Sequence, residues 1–542
     1  MFEQFSTLDL TIILAYFTLT LGIGLWVSRR RDQTSEDYFL AGRNLGWVAI
    51  GLSLFATNIS SEHILGLAGT GASRGLASGS FEWMAVIILI AMGWFIAPVF
   101  IRLGLFTVPE YLEIRYDRRS RHYLTTVSIV AYIITKISVM LFAGGILLQH
   151  LLGWDMYSGA ILLVLFTGIY TVVGGLTAVV WTQVFQSVVL IAGSLVVTLL
   201  GLQAVGGWDG LVDKLPAGHF TMFKPMDDPD FPWTGIVFGA PILGFWYWCT
   251  DQYIVQRVLG ARSVTEARWG TFFAAVLKLI PVFVMVLPGL IAVALFPDIS
   301  GDDAYPALIS GSLLPIGLKG LVVAGILGAL MSSLAAVMNS AATLFTVDFY
   351  QPRNPGASER KLILAGRLAT LFITITAILW VPLTKLITSN IYIYMQSVQA
   401  YISPPIVAVF LFGLFTKRAT ATAAFSSLVV GGALGLLRLI LEYMHTNGTA
   451  LPGLILPFVT MNFLHFAIVL FVICSLVLVA VSLMTELKPA KDTSGLLIAG
   501  RIRSADGSDR QEDTQVFQPF RTQLYASIVL CVIVIGLWGF LS

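Results

Sequence analysis

The sequence predicts an all-α membrane protein, and three observations predict it. Only 11 % of the 542 residues are charged, while 57 % are hydrophobic. A soluble domain carries about 25 % charged residues, so this chain has too few polar side chains to cover a surface that faces water. Its apolar residues gather into about fourteen runs, each long enough for the roughly 20 residues that cross a bilayer as a helix. Cations collect in every second connection between those runs, the bias that orients membrane proteins. The same composition excludes other classes. With 32 Lys and Arg against 30 Asp and Glu and six His, there is no basic surplus of the kind that nucleic acid demands. Cys249, Cys474 and Cys531 lie in apolar runs without metal-ligand spacing or a pairing pattern, and are expected to be buried small hydrophobes.

The predicted spans fall near residues 8–28, 46–70, 80–102, 123–150, 157–176, 182–205, 233–256, 269–296, 316–349, 362–387, 391–415, 420–441, 456–486 and 523–541. The first lacks a basic leader and a small-residue cleavage site, and is read as a retained span. Arg29, Arg30 and Arg31 follow it; Arg115, Arg118, Arg119 and Arg121 follow the third span, and Arg257, Arg262 and Arg268 the seventh. About 24 of the 32 cations share this side, which is assigned to the cytoplasm. An even number of spans then places both termini outside a plasma (inner) membrane. Loop 206–232, with Asp209, Asp213, Asp227, Asp228 and Asp230, is expected outside, and 487–522, rich in Asp, Ser, Arg and Gly, is expected inside and mobile. The chain divides into a first helix with its linker (1–45), a five-span block (46–205), the external loop (206–232), a second five-span block (233–415), additional helices (416–486), the cytoplasmic loop (487–522) and a last helix (523–542).

What happens inside the spans points to function. In hydrocarbon every backbone group must be paired, so a break at mid-membrane is tolerated only where protein or a cavity surrounds it. The second span carries Thr57, Asn58, Ser60, Ser61, Glu62 and His63, and the seventh carries Pro241, Gly244 and then Tyr247 to Gln252. Interrupted helices at corresponding places in two halves point to a transporter of inverted repeats with its site at the midplane. A break over Ala56 to Ile59 frees carbonyl oxygens, hard neutral ligands that suit sodium, and Ala329, Ser332 and Ser333 would complete a cage without any carboxylate. The two serines can instead bond back to carbonyls of their own helix. The remaining polar residues in the spans, Asn58, Glu62, His63, Glu82, Tyr247, Trp248, Lys278 and Gln396, join donors and acceptors to aromatic faces, as a sugar requires. Ionisable groups within spans are functional by default, yet each has a plainer reading. Glu82 can sit at the interface, Lys278 can pair with Glu82 or Asp251, His63 can be a satisfied core histidine, and Tyr247 with Trp248 can be packing. Lys136 is read as a structural cation.

At these residues the chain resembles the sodium/glucose cotransporters of the solute:sodium symporter family. The resemblance covers nearly the whole chain. It is carried by Glu36–Gly42 (EDYFLAG), Asn58–His63 (NISSEH), Gly66–Gly71 (GLAGTG), Phe81–Trp83 (FEW), Val108–Leu112 (VPEYL), Trp246–Gln252 (WYWCTDQ), Gln256 with Arg257, Leu277 with Lys278, Met331–Leu334 (MSSL), and Gln396 leading to Ser403–Pro405. It implies a LeuT-like fold, a 5+5 inverted-repeat core of spans two to eleven with one helix before and three after. It implies import of a monosaccharide coupled to sodium entry by alternating access. Carried over by position, the family's sodium ligands fall on Ala56, Ile59, Ala329, Ser332 and Ser333. Its sugar contacts fall on Asn58, His63, Glu82, Tyr247, Trp248, Lys278 and Gln396. Leu67, Phe81 and Tyr392 match the outer gate, and Tyr247 would cover the sugar from the cytoplasmic side. His63 and the WYWCTDQ run resemble the animal glucose transporters more than the bacterial galactose transporter.

Departures from the family pattern carry their own expectations. Trp181-Thr182-Gln183 has a neutral amide where the family usually has an acid, and Ala335 with Ala336 stand where members moving two sodium ions carry hydroxyls. One sodium per sugar is therefore expected. Gly244 falls where relatives place a side chain able to reach the sugar, so one contact is expected to be lost. The alternatives are a symporter of the same fold for inositol or a sugar acid, and a sugar-gated sensor or leak with altered sodium coupling. A carboxylate substrate would want an Arg in the central set, and that set has none. Enzymatic catalysis is not expected, since Glu82 and His63 have no nucleophile, metal cluster or phosphate-binding loop beside them.

Overall fold

Ser6 starts the first helix, α1 (Thr7–Ser28), by a capping box: its hydroxyl accepts from the Asp9 N–H at 3.2 Å, and the Asp9 carboxylate accepts from the Ser6 N–H at 3.0 Å. The other Asp9 oxygen accepts from the N–H groups of Gly317 and Gly320, each at 2.8 Å. One carboxylate thus fastens the first helix to the start of the long helix that holds the serine pair. The computed structural model describes residues 5–29, 34–299, 301–311, 313–380, 391–486 and 517–541.

The first interrupted helix consists of α2 (Trp47–Asn58), a π-helical turn at Glu62–Leu67 and α3 (Ala68–Arg74). Ile59 between them is extended, at φ −73° and ψ 111°. The break therefore falls at the last residue of the expected stretch Ala56 to Ile59. Thr57 and Asn58 remain in the last helical turn, where the side chains of a helix end are free to reach neighbours, and the extended residue is the β-branched Ile59. After a turn at Gly75 (φ 70°) the chain returns as α4 (Gly79–Ala91). A helix then follows at α5 (Arg118–Ala131).

α6 (Met156–Val205) is 50 residues long, about 75 Å if straight. It doubles back at Gly175, whose φ of 53° breaks the helical backbone. Gly24 of α1 lies against both Tyr170 and Thr182, which a straight helix would hold about 18 Å apart. The loop expected between 176 and 182 is not there, because one left-handed glycine makes the reversal.

The second interrupted helix runs through α7 (Ala240–Phe245) and a π-helical turn at Trp246–Thr250 to Asp251, extended at φ −81° and ψ 119°, and resumes as α8 (Gln252–Leu259). Pro241 and Gly244 lie within helical backbone, so the break falls at Asp251 and not at either of them. α9 (Val264–Leu277), α10 (Leu318–Leu344), α11 (Glu359–Trp380), α12 (Ile391–Phe415), α13 (Ala421–Thr446), α14 (Phe463–Met484) and α15 (Phe517–Phe540) follow. α15 begins six residues before the predicted start at 523; most of the loop predicted at 487–522 lies outside the described residues.

Among the described residues, eleven helical runs are long and apolar enough to cross a membrane. In the most apolar 18-residue stretch of the run that contains α10, 94 % of the residues are buried, against 17 % in that of α1. α10 is thus the central post, wrapped by protein on all sides, and α1 is peripheral. Cys249 and Cys474 are buried as expected, whereas Cys531 is half-exposed.

Candidate functional site

Where α2 ends, its final carbonyls have no main-chain donor in the next turn. The Phe55 carbonyl is still taken by the Ile59 N–H at 3.0 Å; the carbonyls after it turn toward α10. The Ser332 hydroxyl lies 2.6 Å from the Ala56 carbonyl and 2.9 Å from the Ala329 carbonyl. The Ser333 hydroxyl lies 2.9 Å from the carbonyls of both Thr57 and Ile59. All five sequence-predicted positions, Ala56, Ile59, Ala329, Ser332 and Ser333, meet here, and all are fully buried. Back-bonding within α10 accounts for one contact of Ser332 and for none of Ser333. Two hydroxyls supply one proton each, while four carbonyls converge on them. The cluster is rich in neutral acceptors and poor in donors, which suits a cation of low charge. Thr57 joins it by its carbonyl, a member that sequence reasoning missed.

Gln183 of α6 stands beside this cluster. Its amide nitrogen donates to the Thr57 hydroxyl and to the Ser332 carbonyl, both at 2.9 Å, and its amide oxygen accepts from the Ser53 hydroxyl at 2.5 Å. The neutral group is locked between α2 and α10 by its own hydrogen bonds. Ala335 and Ala336, on the same helix, are buried and have no side-chain oxygen.

On the other side of the break, a cavity is lined by Asn58, Glu62, His63, Phe81, Glu82, Tyr247, Trp248, Lys278 and Gln396, among others. All seven residues predicted to touch a sugar line it. Lys278, at the end of α9, donates to Asn58 Oδ1 at 2.5 Å and pairs with Glu82. The choice left open by the sequence is therefore settled for Glu82. Asp251 is taken instead by Lys136, at 2.7 Å, and by the Tyr132 hydroxyl. The Lys136 ammonium also stands 3.5 Å from the centre of the Tyr253 ring, a cation–π contact, so Lys136 is the structural cation it was read to be. Asn58 Nδ2 donates to the Tyr247 hydroxyl at 2.8 Å, and that hydroxyl meets Tyr253. Tyr247 and Trp248 stand edge to face, with centroids 5.0 Å apart.

His63 lies between two acids. Nε2 is 3.5 Å from Glu82 and Nδ1 is 3.7 Å from Glu62, both beyond good hydrogen-bond length. Glu62 was in the polar set but absent from the residues matched to sugar contacts; its carboxylate faces the cavity. Gly244 also lines the cavity, and a Cβ there would run into the end of Ile88.

Of the expected gate residues, Phe81 borders the cavity and packs edge to face on Tyr392, with centroids 6.1 Å apart. Tyr392 and Leu67 are buried behind the lining; Tyr392 packs on Gly66, beside Leu67. Phe231, from loop 206–232, covers the other edge of Phe81 at 6.1 Å, a contact that no pattern in the sequence announces.

Two interrupted helices that share a polar centre, deep among helices long enough to span a bilayer, define a secondary transporter. Residues 38–431 match the model of the Sodium:solute symporter family. Among relatives, the chain is 37 % identical to Sodium/glucose cotransporter 4 of Mus musculus over 94 % of this chain and 80 % of that one. It is 38 % identical to Sodium/glucose cotransporter 1 of Ovis aries, covering 92 % and 81 %, and 38 % identical to Sodium/glucose cotransporter 2 of Rattus norvegicus, covering 92 % and 82 %. Its fold is similar to that of a Na+-coupled sialic acid symporter in a substrate-bound outward-open state, with a TM-score of 0.76 at 22 % identity over 89 % of this chain and 98 % of that one. A nucleobase-cation-symport-1 family transporter in a closed conformation aligns with a TM-score of 0.54 at 13 % identity, covering 86 % and 99 %. The protein belongs to the Sodium:solute symporter family and has its LeuT-like fold.

Proposed function

We propose that this protein is a sodium-coupled symporter that imports a monosaccharide of the glucose and galactose type. The observation that carries the reading is the sharing of one break by two sites. Ala56, Thr57 and Ile59 turn their carbonyls to the serine hydroxyls of α10, while Asn58, between them, turns its side chain to Lys278 and Tyr247. An ion that draws these carbonyls together fixes Asn58, and a sugar on Asn58 fixes the carbonyls. Coupling of this kind is reciprocal. Transport also needs binding energy to shift the balance of two conformations, not to hold the cargo tightly, so weak binding of the sugar is expected.

In this reading Asn58, His63, Glu82, Lys278 and Gln396 bind hydroxyls, and Tyr247 and Trp248 cover the sugar's C–H faces. Phe81, with Tyr392 and Leu67 behind it, closes the outer side, and Tyr247 the cytoplasmic side. Sodium takes Ala56, Ile59, Ala329, Ser332 and Ser333. Reading α6 as two passes and each interrupted helix as one brings the count to about 14, with both termini outside the plasma membrane. The first repeat occupies 46–205 and the second 233–415. The locked amide of Gln183 and the bare Ala335 and Ala336 support one sodium per sugar. The names of the relatives, sodium/glucose cotransporters, support the choice of cargo.

The test is purified protein in liposomes, a panel of labelled monosaccharides, and an imposed inward sodium gradient with potassium and pH-gradient controls. Uptake of glucose or galactose that follows the sodium gradient alone is expected. Uptake indifferent to sodium, or equally driven by potassium, would overturn the reading.

A further inference from the structure

The acids and bases that line the cavity do not balance. Glu82 is satisfied by Lys278. Glu62 has no such close partner: it lines the cavity with its side chain 12 % exposed, and its carboxylate accepts no hydrogen bond among the described residues. The nearest basic atom is His63 Nδ1 at 3.7 Å, itself buried and without a hydrogen-bond partner. An anionic acceptor and an imidazole are thus neighbours in the lining of the same cavity. An acid kept at mid-membrane with no hydrogen bond to its carboxylate is a functional candidate. Neutral hydroxyls would satisfy the hydrogen-bonding capacity of Glu62 but bring no charge to it. An ammonium group would supply both, since three N–H donors and a positive charge reside on one atom.

We propose that Glu62 makes this site accept amino-hexoses, sugars in which an ammonium replaces a hydroxyl, with the ammonium paired to Glu62. The proposal rests on the reading of the cavity as a monosaccharide site and narrows it. Lys278 does not oppose such a cargo, because its charge is already spent on Glu82 and its remaining contact is to Asn58 Oδ1. Gln396 and Trp248 remain to bind the rest of the ring, as they would for a neutral hexose.

The experiment uses the full chain in liposomes with an imposed sodium gradient. Labelled glucose uptake is competed with 2-amino-2-deoxyglucose, 3-amino-3-deoxyglucose and 6-amino-6-deoxyglucose, and with the three corresponding deoxyglucoses, which lack the hydroxyl but carry no charge. At least one amino sugar is expected to compete within about threefold of glucose itself and at least tenfold better than its deoxy counterpart. In Glu62→Gln that advantage over the deoxy counterpart is expected to fall at least tenfold; Glu62→Asp should retain part of it. If no amino sugar outcompetes its deoxy counterpart in the unaltered protein, or if the advantage survives in Glu62→Gln, the proposal is overturned. Should Glu62→Gln fail to fold, the comparison within the unaltered protein and Glu62→Asp still decides. Direct uptake of labelled 2-amino-2-deoxyglucose, measured in parallel, separates the two readings. Sodium-driven glucose uptake without any amino-sugar recognition sinks only this inference. Amino-sugar uptake without glucose uptake supports it and sinks the neutral-sugar reading.

Discussion

Ser332 and Ser333 are neighbours in sequence yet differ in what they touch. Ser332 spends one contact on its own helix, at Ala329, and one on α2, at Ala56, whereas Ser333 makes both of its contacts across the gap, at Thr57 and Ile59. Removing either hydroxyl takes one of five oxygens from a cage that has no carboxylate, so Ser332→Ala and Ser333→Ala are each expected to raise the sodium concentration for half-maximal uptake at least fivefold. Ser333→Ala should also loosen the join between α2 and α10 more. Uptake in vesicles against sodium concentration checks the first claim; an unchanged sodium dependence in both variants would remove the ion from this cage. Lys278 and Glu82 offer a second test that separates folding from binding. Breaking a buried ion pair on one side strands a charge and costs about 3–5 kcal/mol, whereas removing both members is far milder. Lys278→Ala should therefore lower the melting temperature more than the double variant with Glu82→Ala. Transport should be lost in both, since each side chain also lines the cavity proposed to hold the sugar. A double variant that recovered transport together with stability would show the pair to be structural only.

At the scale of helices, the site exists because two segments fail as helices at matching places. The sequence displayed this as polar residues in the midst of apolar runs, and the positions of the cage and cavity residues followed from it. The exact place of each break did not, because propensity alone marks Thr57 and Asn58 as weak formers, while the structure keeps both in helix and extends Ile59. What decides is tertiary: Ser333 receives the carbonyls of Thr57 and Ile59, and Lys136 with Tyr132 holds Asp251 at the second break. Such partners are more than 100 residues away along the chain and no local pattern names them. The packing of Phe231 on Phe81 was hidden for the same reason. The second half of the first interrupted helix is held by contact of backbone on backbone. A Cβ at Gly71 would strike the Val286 carbonyl, and a Cβ at Gly289 would strike the Ala68 carbonyl. α3 and the helical segment Leu287–Leu295 with the Val286 before it are thus apposed too closely for any side chain. Gly71→Ala and Gly289→Ala are each expected to destabilise the protein by about 1–3 kcal/mol through forced backbone shifts. Thermal unfolding in detergent checks this, and a melting point unchanged in both variants would mean that the two segments are not so close.

For the whole molecule, the number of sodium ions per sugar sets how steeply sugar can be concentrated. Each sodium that enters carries one charge through the membrane potential, worth about 2.3 kcal/mol per 100 mV. Since about 1.4 kcal/mol is a factor of ten, a potential of 100 mV alone supports roughly fiftyfold accumulation with one sodium and roughly two thousandfold with two. Gln183 bears on which applies. A second ion near Ser332 would need oxygens, but the amide presents its N–H2 to the Thr57 hydroxyl and the Ser332 carbonyl, occupying acceptors that an ion would use. Gln183→Glu turns that donor into an acceptor and leaves a buried carboxylate oxygen facing the Ser332 carbonyl, an arrangement that only a proton or a cation between them relieves. The unaltered protein is expected to move one charge per sugar. Gln183→Glu is expected either to raise that ratio toward two or to make uptake dependent on acid pH, as a proton takes the ion's place. Simultaneous measurement of current and labelled sugar across a voltage-clamped membrane decides it. A ratio near two in the unaltered protein would show that the locked amide does not exclude the second ion.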